Sequence, residues 1–143
     1  IDAYVLGGHG DSMVPLLKAT TIGGVPVEEM IEKSRLEEIV QRTRDGGAEI
    51  VAHLKTGSAY YAPSAAVAQM VDAIIHDTKE VFPCAAMLDG EYGIKGVYAG
   101  VPVKLGSSGI EEIINLNLSQ SEKDGLLASS KAVEELIEVM KGQ

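Results

Sequence analysis

The chain has 143 residues, 45% hydrophobic and 23% charged, which fits one globular domain of ordinary core size, expected to span residues 1–143. Its net charge of −9 repels phosphodiesters and anionic membrane surfaces, so neither nucleic acid nor membrane is expected as a partner. One cysteine excludes an intrachain disulfide, and no apolar run is long enough to span a bilayer.

Near the start, Tyr4-Val5-Leu6 reads as a short buried strand and Pro15-Leu16-Leu17 as the beginning of another. Between them lies Gly7-Gly8-His9-Gly10-Asp11-Ser12-Met13-Val14-Pro15, which puts His9 on a tight loop. Glycine permits positive φ and close backbone approach, and imidazole, with an unperturbed pKa of about 6.5, is suited to giving and taking protons. On spacing alone, a histidine that merely caps a strand end is the favoured reading. The pattern lacks the length and downstream lysine of a P-loop, and His9 with Asp11 offers a metal two ligands without a third.

Leu16 to Ile22 predicts a strand, Gly23-Gly24 a turn, Val25-Pro26-Val27 the return arm of a hairpin, and Glu28 to Ile31 a helical turn. Ser34-Arg35-Leu36-Glu37 has the form of a capping box, opening a long helix from Ser34 to about Lys55. Its apolar and small positions are Leu36, Ile39, Val40, Thr43, Gly47, Ile50, Val51 and Leu54. Gly46-Gly47 costs roughly 1 kcal/mol per glycine relative to alanine, so close packing or a kink is expected there. Thr56-Gly57-Ser58 breaks the helix, and Pro63 suits the first turn of the next one. That second helix carries Ala66, Met70, Val71, Ile74 and Ile75 on its apolar face and is predicted to run to about Val81. His53 and His76 read as structural or solvated.

From Pro83 the pattern turns to strands over Cys84 to Leu88, Val97 to Ala99, Val101 to Leu105 and Gly109 to Ile114, with Asp89-Gly90 as a hairpin pair. Cys84, inside an apolar run, reads as a buried inert thiol. Ser119-Gln120-Ser121-Glu122 is a second capping box. The last helix shows Leu126, Val133, Leu136, Ile137 and Met140 on one face before Gly142. Strands in two groups flanking long helices make an α+β fold, the helices packed on antiparallel strands.

The Gly7 to Pro15 stretch resembles the active-site histidine motif of the lactate/malate dehydrogenase family. The resemblance continues in Ser58-Ala59-Tyr60-Tyr61-Ala62-Pro63-Ser64-Ala65-Ala66, like the family's helix opening beside the substrate, and in Gly100-Val101-Pro102-Val103-Lys104-Leu105-Gly106, like its late strand and turn. The whole chain is similar to the family's C-terminal half. Tyr61-Ala62-Pro63-Ser64-Ala65-Ala66 is closest to the malate dehydrogenases built like lactate dehydrogenase.

That resemblance implies a C-terminal catalytic and substrate-binding domain that takes part in hydride transfer between NAD and a small 2-hydroxy or 2-oxo acid. Malate is the expected substrate and lactate the alternative. His9 matches the proton acceptor and donor, Gly8 a position where the backbone approaches substrate, and Ser58 a small hydroxyl residue lining the pocket. The family's histidine-steadying aspartate, its arginine clamps and its G-x-G-x-x-G Rossmann domain all fall before Ile1 in the family's order. The chain is thus expected to be a fragment, inactive alone, with NAD held mainly by the absent N-terminal domain. That domain is one expected partner, and a homodimer or homotetramer is the expected assembly. An isolated chain serving only as a non-catalytic oligomerisation module is the alternative from another class. The lone cysteine and the lack of a signal-like core make a cytoplasmic location the expectation.

Overall fold

The computed structural model describes residues 1–10 and 12–142. Its centre is an antiparallel sheet in the order β2(Met13–Pro15), β1(Val5–Gly7), β6(Lys95–Gly106), β5(Glu80–Asp89), with β7(Gly109–Ile113) also paired to β6. A separate hairpin joins β3(Thr21–Ile22) to β4(Val25–Pro26). The helices are α1(Val27–Met30), α2(Lys33–Leu54), α3(Tyr61–Ile75) and α4(Gln120–Lys141). Long helices on antiparallel strands are the α+β arrangement expected from the sequence.

β6 is the strand with which β1, β5 and β7 pair and on which α3 and α4 pack. Glycine at position 100 does not end it, contrary to the two separate runs expected. Gly100 pairs with Ala85 on one side and Gly7 on the other, and a Cβ there would lie 2.5 Å from the Gly7 carbonyl oxygen. Val101, Pro102 and Val103 are all buried, so both faces of the sheet are covered at this point, where α3 and α4 pack on the strand. In β5 the pleat alternates as sequence period two requires, with Cys84, Ala86 and Leu88 inward and Pro83, Ala85 and Met87 outward. The expected Asp89-Gly90 hairpin is a longer connection with a 3₁₀ turn at Glu91–Gly93. The Tyr92 hydroxyl fixes that turn by donating to the Ile114 carbonyl at 2.6 Å and accepting from the Leu116 amide at 3.1 Å.

Several local expectations are corrected. The second strand spans Met13–Pro15 rather than starting at Pro15, and within Leu16 to Ile22 the three residues 17–19 form a turn. There Leu16 is buried, the Thr20 amide closes onto the Leu17 carbonyl at 3.1 Å, and only Thr21 and Ile22 are extended. Val27 belongs to α1, not to the hairpin arm.

α2 starts at Lys33 with Glu32 as its N-cap and no side-chain cap, so Ser34-Arg35-Leu36-Glu37 is not a capping box. Glu37 lies instead 3.9 Å from Lys33, one turn back. α3 ends at Ile75, not near Val81, because Asp77 (φ 50°) and Lys79 (φ 57°) take left-handed backbone and β6 captures Glu80 to Phe82 in its ladder. The second capping box is real: the Ser119 hydroxyl accepts from the Glu122 amide while the Glu122 carboxylate accepts from the Ser119 amide at 2.7 Å. On α4 the inward stripe is Leu126, Ser129, Ser130, Val133 and Ile137, whereas Leu136 and Met140 face solvent. Among the described residues no helix is long and apolar enough to cross a membrane.

Candidate active site

β1 runs out at Gly7 and β2 begins at Met13, so His9 stands on the loop between two hydrogen-bonded strands, as the sequence predicts. The Met13 amide returns to the Gly10 carbonyl at 2.9 Å, which closes the loop into a turn. Gly7 takes φ 80°, a left-handed value that side chains resist, and this bends the chain out of β1 toward the histidine.

Two distant elements hold the loop at its ends. The Gly8 amide donates to the Ser129 hydroxyl of α4 at 2.6 Å, and the Arg44 Nε of α2 donates to the Met13 carbonyl at 3.1 Å. Arg44 belongs to the stripe Leu36, Val40, Arg44 that α2 turns inward, four residues apart on one face.

The imidazole of His9 is exposed and borders a cavity of about 360 Å³, which Gly8, Cys84, Tyr98, Gly100 and Ser129 also line. Among the described residues no lysine or arginine lines it, so His9 is the one basic side chain there that an anion entering from this side would meet. Burial pushes the Cys84 thiol above its ordinary value, which disfavours the thiolate and fits the inert role expected of it.

The other candidates lie elsewhere. Ser58 is exposed in the break between α2 and α3 and is not among the residues lining the His9 cavity. His53 is exposed in the last turn of α2. His76 caps α3 with its ring 3.0 Å from the Asp72 carboxylate. Asp11, weighed with His9 as a metal ligand, is outside the described residues, and among those described no group of three or more His, Cys, Asp or Glu is placed to hold a metal ion.

The loop does not fit the diphosphate of a dinucleotide. Such a group needs free amides at the start of a helix, whereas here the Gly8 amide is already given to Ser129 and a strand follows. Sequence reasoning missed Ser129 and Arg44. The available signal was polar residues sitting on the buried stripes of α4 and α2, where apolar ones are the norm.

With this geometry established, likeness to known proteins is informative. Residues 1–142 match the family model described as lactate/malate dehydrogenase, alpha/beta C-terminal domain. A malate dehydrogenase of Rhodopirellula baltica is 57% identical over 142 residues, 99% of this chain and 45% of that protein. The structure of malate dehydrogenase from Salinibacter ruber superposes with a TM-score of 0.93 at 49% identity, over 97% of this chain and 45% of that one. A lactate dehydrogenase from Cryptosporidium parvum, complexed with lactic acid and b-nicotinamide adenine dinucleotide, gives a TM-score of 0.94 at 39% identity, over 99% of this chain and 46% of that one. The chain thus spans less than half the length of the curated relatives it matches. A histidine loop between antiparallel strands, a matching family model over nearly every residue and the same fold in both kinds of enzyme lead to one assignment: the chain belongs to the lactate/malate dehydrogenase family, as its α/β C-terminal domain.

Proposed function

We propose that the chain is the substrate-side, proton-transferring domain of a cytoplasmic NAD-dependent malate dehydrogenase. His9 takes the hydroxyl proton of malate as the alcohol is oxidised and returns it when oxaloacetate is reduced. The observation that carries this reading is the placement of an exposed imidazole on a loop anchored at both ends, beside a cavity that, among the described residues, has no other basic side chain. A general acid–base needs reach, a held position and a proton affinity near neutral, and an anchored loop supplies the first two.

NAD, the hydride partner, is held outside these residues, in a dinucleotide-binding half that also brings the cationic groups to clamp the substrate carboxylates. Gly8 lets the backbone approach the substrate through its carbonyl and α-carbon, its amide being engaged, and Ser58 is a small hydroxyl residue lining the substrate pocket of the complete enzyme. Malate is favoured over lactate by the malate dehydrogenases at 56% and 57% identity. The exposed apolar faces of α2 and α3 support assembly into a homodimer or homotetramer.

In the complete dehydrogenase, His9→Asn should preserve the loop and lower oxaloacetate reduction by at least about 10²–10⁴-fold, with NADH binding little changed. His53→Asn and His76→Asn should keep normal turnover. Near-normal turnover in the His9 variant returns the loop to a structural turn.

A further inference from the structure

We infer that Ser129 of α4 is a positioning residue for His9, a role that rests on the reading of His9 as the proton carrier. The Gly8 amide, immediately before the histidine, donates to the Ser129 hydroxyl at 2.6 Å across 121 residues of sequence. Ser129 is 4% exposed, so water does not compete for that bond. The same hydroxyl fixes how close the loop can come. A Cβ built on Gly7 would lie 2.9 Å from Ser129 Oγ and one built on Gly8 3.1 Å from it, so a side chain at either position would push on the hydroxyl that holds the loop.

The serine sits in the middle of the inward stripe between Leu126, in the core, and Val133, packed against it, so its backbone is held by the helix and by that packing. A rigid helix thus sets the height and direction of the chain at the residue preceding the catalytic imidazole. Acid–base transfer tolerates little misplacement, and about 1 Å of it can cost on the order of 10²-fold in rate.

Ser130 provides an internal comparison. It is 3% exposed on the same helix and borders the same cavity, but its hydroxyl has no hydrogen-bond partner among the described residues. Its loss removes a buried hydroxyl without touching the loop.

The test uses the complete dehydrogenase with wild-type, Ser129→Ala, Ser129→Cys and Ser130→Ala forms. Hydrogen exchange at the Gly8 amide should quicken by about tenfold in Ser129→Ala, with the core amides of β6 unchanged, and should stay at the wild-type rate in Ser130→Ala. Ser129→Cys, close in size but a weak acceptor, should behave as Ser129→Ala does, so the effect reports the hydrogen bond rather than the volume. Turnover with oxaloacetate should fall by about 10–10²-fold in both Ser129 variants, while the stoichiometry and affinity of NADH binding hold. Unchanged Gly8 exchange, or unchanged turnover in a Ser129 variant of an enzyme that His9→Asn inactivates, overturns the positioning role and leaves the His9 assignment standing. If His9→Asn itself remains active, the underlying reading fails instead.

Discussion

Asp77 shows how one side chain closes the lower end of the sheet. Its carboxylate accepts from the Ser107 amide at 2.8 Å, tying the segment after α3 to the turn between β6 and β7, with Lys79 3.7 Å away. The Ser107 hydrogen bond, assisted by the Lys79 charge, holds the Asp77 carboxyl below the usual aspartate value. A depressed folded value contributes stability that is present above the unfolded pKa of about 4 and lost as pH falls through the folded one. The urea midpoint of the wild type should therefore exceed that of Asp77→Asn at pH 7, and the gap should shrink on acidification below about pH 4. A gap that stays constant down to acid pH would show that the ionised carboxylate contributes nothing.

At the scale of elements, the two serine-led boxes separate a pattern from a contact. Ser119 and Glu122 satisfy each other's amides at the start of α4, whereas Ser34 lies one residue inside a helix that Glu32 begins. Ser119→Ala should cost about 0.5–2 kcal/mol, and Ser34→Ala, exposed and uncapped, should stay within about 0.5 kcal/mol of wild type. Chemical denaturation of both variants checks this, and equal losses would mean that α2 has a cap the structure lacks. The sequence could not make the distinction, because S-x-x-E is a statement about residue types and a cap is a statement about the backbone one residue either side. The apolar face of α2 has a similar lesson. Its periodicity merges two stripes: Leu36, Val40 and Arg44 meet the β2 side of the domain, and Ile39, Thr43, Gly47, Ile50 and Leu54 meet solvent.

For the whole molecule, that second stripe and the exposed Val67, Val71 and Ile75 of α3 leave apolar surface that this domain does not cover. A Cβ at Gly46 or Gly47 would meet nothing within 4 Å, so the close packing expected there does not occur among the described residues. Gly47→Ala should therefore raise the stability of this domain by roughly up to 1 kcal/mol, through helix propensity alone. If the stripe is buried in the assembled enzyme, Gly47→Leu should shift sedimentation toward smaller species while the helix content holds. Unchanged sedimentation with the leucine in place would mean that this stripe mediates no assembly. By itself the sequence determined what depends on neighbours along the chain: the strand–loop–strand setting of His9, the two long helices and their break at Thr56 to Ser58, the buried Cys84, and the cap at Ser119. These follow from residue spacing and local backbone chemistry, which act over a few residues. What tertiary structure decided depends on segments that meet only when folded. It merged two strands into β6 through the Gly7 and Ala85 pairings of Gly100, ended α3 early by drawing Glu80 to Phe82 into a ladder, and set Ser129 and Arg44 on the two ends of the histidine loop. Such contacts cross 15 to 121 positions of sequence, and no local propensity encodes them; they form only when the strands pair and α2 and α4 pack against the sheet.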